Sequence, residues 1–326
     1  MEQVYKVFTN FSKQLDKKAT MAHKKTHHQR KSISLGPFGV FIVFLAGLLI
    51  GRFYATLVTT DDTNFGLNGA FSDAPSCFYG SSTSKNGWHS IDVFNGDQAH
   101  LREMLPPTID WFSQASQDRV VAALLGNKRN GFFVDLAAND ATVLSNTFSL
   151  EQRLQWSGIC IEPTPQYWAN LTYRDCQVVA AIVGDKRMDE VHFRFDAGDH
   201  SGIAGEGFDN GVKFKSRSQK KYTVTLHEIL FRFKAPKHID YLSLDVEGAE
   251  ELIMLHFPFS EYHISILTVE RPKERLRNLL ETNGFQFLKR LTRWGETLWA
   301  HQSVMDQLDL QVLDQFGPPR RNATTK

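Results

Sequence analysis

The chain has 326 residues, 42% of them hydrophobic and 22% charged, which is enough for one domain of about 200 residues with additional segments. Because 37 Lys and Arg residues balance 36 Asp and Glu residues, the overall charge gives no indication of a nucleic-acid partner. The three cysteines, Cys77, Cys160 and Cys176, do not have the spacing of a metal site and cannot all pair with one another.

The N-terminal region combines an uneven charge with a long apolar segment. Eight Lys or Arg residues and only two acidic residues occur before Ser32. Residues 36–58 follow with Arg52 as their one charge, and about 20 apolar residues suffice to cross a bilayer. By the positive-inside rule we predict a cytosolic tail at 1–35, a transmembrane signal anchor at 36–58 and a lumenal remainder. The expected membrane is that of the Golgi or the endoplasmic reticulum.

The lumenal remainder is predicted to contain a linker, one domain and a tail. Residues 59–110 are rich in Ser, Gly, Asn and Asp and show no sustained periodicity, which indicates a stem. Residues 111–305 show strand and helix patterns, and residues 306–326 are polar. The N-x-T sequons at Asn170 and Asn322 would be accessible to glycosylation in this topology.

The cysteines allow more than one interpretation. Cys160 lies in an apolar strand pattern, where a free, inert buried thiol is the default. A lumenal disulfide between Cys77 and Cys176 remains open.

Apolar runs of strand length alternate with helical patterns through the domain. An amphipathic helix is predicted around 120–125 and another at 142–156, and ETLWAHQ at 296–302 predicts a strand returning antiparallel. This alternation favours a parallel α/β sheet with right-handed crossovers. The apolar runs are GFFVDL at 131–136, ICI at 159–161, QVVAAIV at 177–183, IDYLSL at 239–244 and ISILTVE at 264–270.

Acidic residues stand where several of these strands end, namely Asp135, Glu162, Asp245 and Glu270. The carboxyl ends of parallel strands meet at one edge of a sheet, so these side chains should line a common crevice. A carboxylate after the second strand can accept both hydroxyls of a ribose. Neither G-x-G-x-x-G nor a P-loop follows the first strand, so an acid-rich crevice favours a cationic nucleoside such as S-adenosylmethionine.

The motifs FVDLAANDA, IEP, VVAAIVGD, IDYLSLDVEGAE and VER, in this order and spacing, resemble the FkbM-type S-adenosylmethionine-dependent O-methyltransferases. The resemblance covers roughly residues 115–300 and identifies the chain as a membrane-anchored member. It implies an α/β, Rossmann-like class I methyltransferase fold. In this fold a seven-stranded, mostly parallel sheet has an antiparallel last strand, here preceded by one transmembrane helix.

The resemblance also implies roles for particular residues. This sequence has Ala137 and Ala141 where the commoner DIGANDG form has glycine, which permits positive φ and close backbone approach. Cofactor binding is implied for the methionine-side residues Asp135, Ala137, Asn139 and Asp140, for Glu162 at the ribose, and for Ala180 and Ala181 at the adenine, while Asp245 and Glu247 would face the transferred methyl and the acceptor.

Methyl transfer to oxygen requires alignment of the acceptor hydroxyl and removal of its proton. His200, in a loop with five glycines among residues 196–211, is one candidate base and Asp245 is the other. A solvated loop histidine is the simpler interpretation of His200, and Asp140 could be only a helix cap. Asp245, Glu247 and Glu250 could hold Mg²⁺, although they are not a diagnostic ligand set.

The sequence therefore predicts a single-pass membrane O-methyltransferase with S-adenosylmethionine as cofactor. Its acceptor would be a hydroxyl of a glycan or other small molecule on the lumenal side, and nucleic acid is not an expected partner. The alternative is a catalytically silent methyltransferase fold that acts as a binding or trafficking module, which Ala137 and Ala141 together with the membrane anchor suggest.

Overall fold

The computed structural model of the chain describes residues 92–94 and 111–318. The predicted cytosolic tail, the predicted span at 36–58, most of the predicted stem, Cys77 and Asn322 lie outside these residues and stay predictions. Among the residues that are described, no helix has the length and apolar character needed to cross a membrane.

Thirteen short strands and six α-helices make up the described residues. The helices are α1 (Gln117–Leu124), α2 (Phe148–Leu154), α3 (Pro165–Leu171), α4 (Leu226–Arg232), α5 (Glu250–Met254) and α6 (Glu274–Thr282). The strands are β1 (Asp92–Phe94), β2 (Phe132–Leu136), β3 (Ser157–Ile161), β4 (Gln177–Ala180), β5 (Val183–Gly184), β6 (Glu190–Arg194), β7 (Gly202–Ile203), β8 (Gln219–Tyr222), β9 (Val224–Thr225), β10 (His238–Leu244), β11 (His263–Glu270), β12 (Phe285–Arg290) and β13 (Glu296–His301).

The main sheet has the strand order β1-β4-β3-β2-β10-β11-β13-β12. Strands β4, β3, β2, β10 and β11 are parallel, and β13 runs antiparallel to both β11 and β12. The predicted seven-stranded, mostly parallel sheet with an antiparallel last strand is thus confirmed. An eighth strand, β1, pairs antiparallel with β4 at the edge, so the segment interpreted as a stem contributes to the sheet. Three residues are too few to show a period in the sequence.

Alternate residues of the central strands enter two separate cores, because successive side chains of a strand point to opposite faces. In β2, Val134 and Leu136 pack in one core with residues of α4, α5 and α6. Phe133, between them, packs in the other core with residues of α1, α2 and α3. Helices therefore cover both faces, which is why the central strands read as nearly continuous apolar runs.

The domain extends beyond the C-terminal boundary predicted at residue 305. Two 3-10 helices, Gln302–Gln307 and Leu310–Gln315, follow β13. Val312, Leu313 and Phe316 pack against the core that contains α1. The segment read as a polar tail therefore carries enough apolar side chains to cover this core up to about Phe316.

A disulfide joins Cys160 and Cys176, whose Cα atoms are 6.1 Å apart. The interpretation of Cys160 as a free thiol was wrong, and the open pairing of Cys176 with Cys77 is excluded because Cys176 is already bonded. Register explains the pairing, since Cys160 of β3 lies opposite Val178 of β4 and Cys176 directly precedes β4.

The helix predicted at 142–156 is shorter than expected, because α2 begins only at Phe148. Leu144 has a positive φ of 61°, which an α-helix cannot accommodate. The Ser145 hydroxyl also accepts the amide of Phe148, 3.1 Å away. Residues 141–147 consequently form an extended loop beside the carboxyl end of β2.

Candidate functional site

Two adjoining clefts lie at the carboxyl ends of the central strands. The first, of about 380 Å³, is mainly apolar, and the second, of about 570 Å³, is mainly polar. Ala137, directly after β2, lines both of them. Residues that line the apolar cleft include Leu136, Ile161, Pro163, Ala181, Phe193, Ser201 and Ile253, and those that line the polar cleft include Asp135, Asn139, Asn146, His200, Asp245, Glu247 and Glu270.

Of the two residues predicted to bind the adenine, Ala180 and Ala181, only one lies in a cleft. Ala181 is buried and lines the apolar cleft, whereas Ala180 is half-buried and lies outside the lining of both clefts. The turn after β4 explains the difference, since Ala180 is the last residue of the strand and Ala181 points the other way.

Glu162 directly follows β3, has 2% of its surface exposed and lines neither cleft, so the prediction that it lines the common crevice is wrong; its link to the polar cleft is the amide of Asn139. Its Oε2 accepts the amide of Asn139 at 2.8 Å and its Oε1 accepts the amide of Thr164 at 2.6 Å. Burial raises the pKa of Glu162 to about 7, although both amides favour the ionised form. Each oxygen keeps a further lone pair, so the carboxylate can still accept hydrogen bonds from a ligand.

The backbone of the loop after β2 adopts left-handed conformations at Ala137, with a φ of 58°, and at Asn139, with a φ of 53°. Asparagine tolerates this region, but alanine is disfavoured there by about 1–2 kcal/mol. Ala141 does not have a positive φ and is fully buried. Of the two alanines that replace glycine, only Ala137 therefore stands where glycine would relieve strain.

Asp140 acts as a cap of a turn. Its Oδ1 accepts the amides of Thr142 and Val143, both at 3.0 Å, and its Oδ2 accepts the side-chain amide of Asn170 at 3.1 Å. Asp140 is therefore a cap, as the alternative interpretation predicted, but it caps the turn that follows it and not a helix. Asp140 lies outside the lining of both clefts.

Asp135 joins the polar cleft to a buried hydrogen-bond network. Its Oδ2 accepts the hydroxyl of Thr147 at 2.7 Å, and Thr147 in turn accepts Nη2 of Arg174 at 2.9 Å. Arg174 is fully buried and pairs with Glu151, with 3.2 Å between Nε and Oε2. Burial raises the pKa of Asp135. The network holds the β2 carboxylate in place at the floor of the cleft.

Three neighbouring carboxylic acids are Asp245 after β10, Glu270 at the end of β11 and Glu296 at the start of β13, and the first two line the polar cleft. Burial and the neighbouring carboxylates of Glu270 and Glu296 raise the pKa of Asp245 well above its ordinary value. Burial also raises the pKa of Glu270, and burial together with Glu270 raises that of Glu296 to about 8. Such a group holds protons at neutral pH, because several adjacent buried carboxyls cannot all ionise.

His200 belongs to the polar cleft but is largely exposed, with 74% of its side chain accessible. Its Nδ1 lies 3.0 Å from Oε1 of Glu247, and this contact raises the pKa of the imidazole. Glu247 is buried and has a positive φ of 57°, so its side chain is held toward His200 by a constrained backbone. His200, Glu247 and Asp245, the three predicted catalytic residues, all line this cleft.

Residues 135–287 match the family model described as the methyltransferase FkbM domain. The matched segment is similar to the FkbM methyltransferases. The resemblance read from the motifs is therefore confirmed for this range, which runs from the end of β2 into β12 and includes every predicted site residue. No curated protein matched the chain in a sequence comparison.

Asp245, Glu247 and Glu250, the residues suggested for Mg²⁺, do not form a cluster of possible metal ligands in the described part of the chain. Oε1 of Glu250 accepts the amides of Val246 at 3.2 Å and Gly248 at 3.1 Å, so it closes the turn after β10. Another set, Asp209, Glu247 and Glu270, has ligand atoms within 4.8 Å of one another in the described residues. Nη2 of Arg271 already lies between them, at 2.6, 3.4 and 2.5 Å respectively.

Two polar residues of the clefts were missed by the sequence interpretation. Asn146 Oδ1 and Ser201 Oγ are buried and have no hydrogen-bond partner within the described part of the chain. The amide of Asn146 is oriented by its Nδ2, which donates to Ser243 Oγ at 2.9 Å. Asn146 was hidden because it falls in the segment read as a helix, and Ser201 because only its neighbour His200 carries an obvious chemical signal.

Proposed function

We propose that the chain is an S-adenosylmethionine-dependent O-methyltransferase that is anchored by the segment at 36–58 and acts on the lumenal side. The observation that carries the proposal is a pair of clefts that share Ala137, one apolar and one rich in carboxylates, and that are lined mostly by the segment matching the FkbM domain. A ligand with an aromatic base at one end and cationic groups at the other is complementary to this pair. The acceptor we propose is a hydroxyl of a glycan or another small molecule.

The residues present fit this cofactor. The apolar cleft suits the adenine, and the carboxylates of the polar cleft suit the ammonium and sulfonium charges. Glu162, which is hydrogen-bonded to the cleft residue Asn139, suits the ribose hydroxyls. The unpartnered Asn146 Oδ1 can accept from the ammonium, and the unpartnered Ser201 Oγ can donate to or accept from the base. When bound, the group supplies an electrophilic methyl on a positively charged sulfur.

Asp245 is our choice for the base that takes the hydroxyl proton. Burial and the neighbouring carboxyls raise its pKa, so only the ionised fraction of Asp245 can act as the base, and that fraction accepts a proton more strongly than an ordinary aspartate does. His200 is then a positioning residue, because its Nδ1 is already engaged by Glu247. The disulfide between Cys160 and Cys176 supports an oxidising compartment, as the lumenal topology requires.

Calorimetry on the full-length protein tests cofactor binding. We expect S-adenosylmethionine to bind and NAD⁺ not to bind, since no glycine-rich phosphate loop follows β2. Glu162→Gln should weaken binding more than tenfold, because its amide NH₂ would face a backbone amide at Asn139 or Thr164. Absence of S-adenosylmethionine binding to the native protein would contradict the proposal and favour a silent binding module.

Methyl transfer separates the enzyme from a scaffold and tests the two candidate bases. With labelled cofactor and a panel of glycans, Asp245→Asn should lower kcat by at least about 100-fold and weaken cofactor binding much less, because other carboxylates of the polar cleft remain. His200→Gln should lower it far less. The opposite ranking would make His200 the base, and incorporation that is equal in the native protein and in Asp245→Asn would rule out the proposed chemistry.

A further inference from the structure

A strip of basic residues lies next to the loop that carries His200. It consists of residues 212–221, VKFKSRSQKK, which form the 3-10 helix Val212–Arg217 and most of β8. The strip has five basic residues and no acidic one, namely Lys213, Lys215, Arg217, Lys220 and Lys221.

Part of this charge is compensated and part is not. Lys220 pairs with Glu190 at 2.8 Å, and Arg217 lies near enough to Asp196 to lower the pKa of that carboxyl, after the larger effect of Arg194. The ammonium groups of Lys213 and Lys215 are exposed, and within the described residues neither forms an ion pair with a carboxylate. Two positive charges are thus available to a partner.

Cation–π contacts with Phe214 join the strip to Arg194 of β6. The guanidinium of Arg194 stacks on the ring of Phe214 at 4.2 Å, and Nζ of Lys213 lies 4.9 Å from the same ring. Val212, beside them, is 61% exposed. Apolar surface next to exposed cations suits a partner with both a flat apolar face and negative charge, as a sugar ring with an acidic substituent has.

The strip is connected to the candidate site through Asn210. Nη1 of Arg194 donates to Asn210 Oδ1 at 3.2 Å, and Asn210 Nδ2 donates to the carbonyl of His200 at 2.9 Å. His200 contacts Glu247 in the polar cleft. A group bound at Lys213 and Phe214 is therefore separated from the cleft by only two side chains.

The charges of the cleft and the strip are opposite. The cleft contains Asp245, Glu247 and Glu270 and would repel an anion, whereas the strip attracts one. We propose that the acceptor is an anionic glycan, bearing sulfate or carboxylate groups, whose negative charge is held by the strip while its hydroxyl enters the cleft. This inference rests on the proposed function for the hydroxyl, but the binding of the anion is independent of it.

The test uses the full-length protein and a labelled, heparin-derived tetrasaccharide, with the desulfated tetrasaccharide as the control ligand. We expect binding by fluorescence anisotropy for the sulfated probe only, weakening as salt is raised. Lys213→Gln with Lys215→Gln should weaken it about fivefold, the loss expected from two exposed ion pairs. The control variant, Lys234→Gln with Lys237→Gln, removes two charges just before β10 and outside the strip, one of them paired with Glu261, and should bind normally.

Four results separate the alternatives. Equal weakening by both double variants, or equal binding of the desulfated probe, would overturn the inference. Binding of phosphatidylserine vesicles that depends on Lys213 and Lys215, with no binding of the tetrasaccharide, would also overturn it in favour of a lipid surface. If the native protein binds the probe in a way that depends on Lys213 and Lys215 but does not bind S-adenosylmethionine, the strip is confirmed as a glycan surface and the proposed function fails. Where transfer occurs, the double variant should raise KM for the sulfated acceptor and leave kcat unchanged.

Discussion

The affinity for the cofactor should depend on pH through Glu162. This carboxyl is buried at the end of β3, and burial raises its pKa from the ordinary 4.5 to about 7. Ribose hydroxyls donate hydrogen bonds, so the ionised form, which only accepts, is the form that binds them both. Protonation near neutral pH therefore competes directly with binding of the cofactor.

The size of the effect follows from the titration. With a pKa of about 7, about one tenth of Glu162 is ionised at pH 6 and about nine tenths at pH 8. The affinity should consequently rise about tenfold between these pH values. The same raised pKa stabilises the folded protein fully below pH 4.5, and about 3 kcal/mol of this stabilisation is lost as the pH rises through 7.

Calorimetric titration of S-adenosylmethionine at pH 6, 7 and 8 measures how the affinity for the cofactor changes with pH. Glu162→Gln should bind weakly and without this slope, because the amide does not titrate. Glu250→Gln is a matched control, since burial also raises the pKa of Glu250 to about 7 but its Oε1 closes the turn after β10. A flat profile for the native protein, or an unchanged slope in Glu162→Gln, would refute the reasoning.

Three further predictions concern stability, measured by thermal and urea unfolding. Arg174→Gln leaves Glu151 buried without its charged partner and should lower the free energy of unfolding by about 3–5 kcal/mol. The control Arg275→Gln, in an exposed ion pair, should lower it by less than about 1 kcal/mol. Equal losses in the two variants would contradict this prediction. Ala137→Gly should raise the free energy of unfolding by about 0.5–1 kcal/mol, because glycine adopts the left-handed φ without strain. A lower free energy of unfolding in this variant would show that Ala137 is not strained. The disulfide joins residues 16 positions apart, and its reduction should lower the free energy of unfolding by about 3 kcal/mol and the melting temperature by about 6–12 °C. An unchanged melting temperature would show that the disulfide does not stabilise the fold.

The positions of Asp135, Glu162 and Asp245 could be predicted because strand ends are a local property of the sequence. Each follows an apolar run, and parallel strands bring such ends to one edge. The structure places Asp135 and Asp245 in the polar cleft, whereas Glu162 lines neither cleft and reaches the polar one through the amide of Asn139. The sheet type was predictable for the same reason, since strand and helix periods alternate along the chain.

Other features depended on contacts between residues far apart in the chain. Arg271 approaches Asp209 only because the glycine-rich loop folds over the end of β11, and these residues are 62 positions apart. No local pattern indicates that a guanidinium would lie among the acidic side chains. The exclusion of Glu250 from the cleft likewise follows from two backbone amides that only the folded turn presents to it.

What the sequence determined by itself was the alternation of buried strands and helices, the acidic strand ends and the order of the motifs, because each depends on neighbours within a few residues. What only the tertiary structure decided was which side chains meet. The disulfide between Cys160 and Cys176 depends on the register of β3 against β4. The elevated pKa values of Glu162 and Asp245 depend on burial by several elements at once, which is a property of the packed fold and of no single segment.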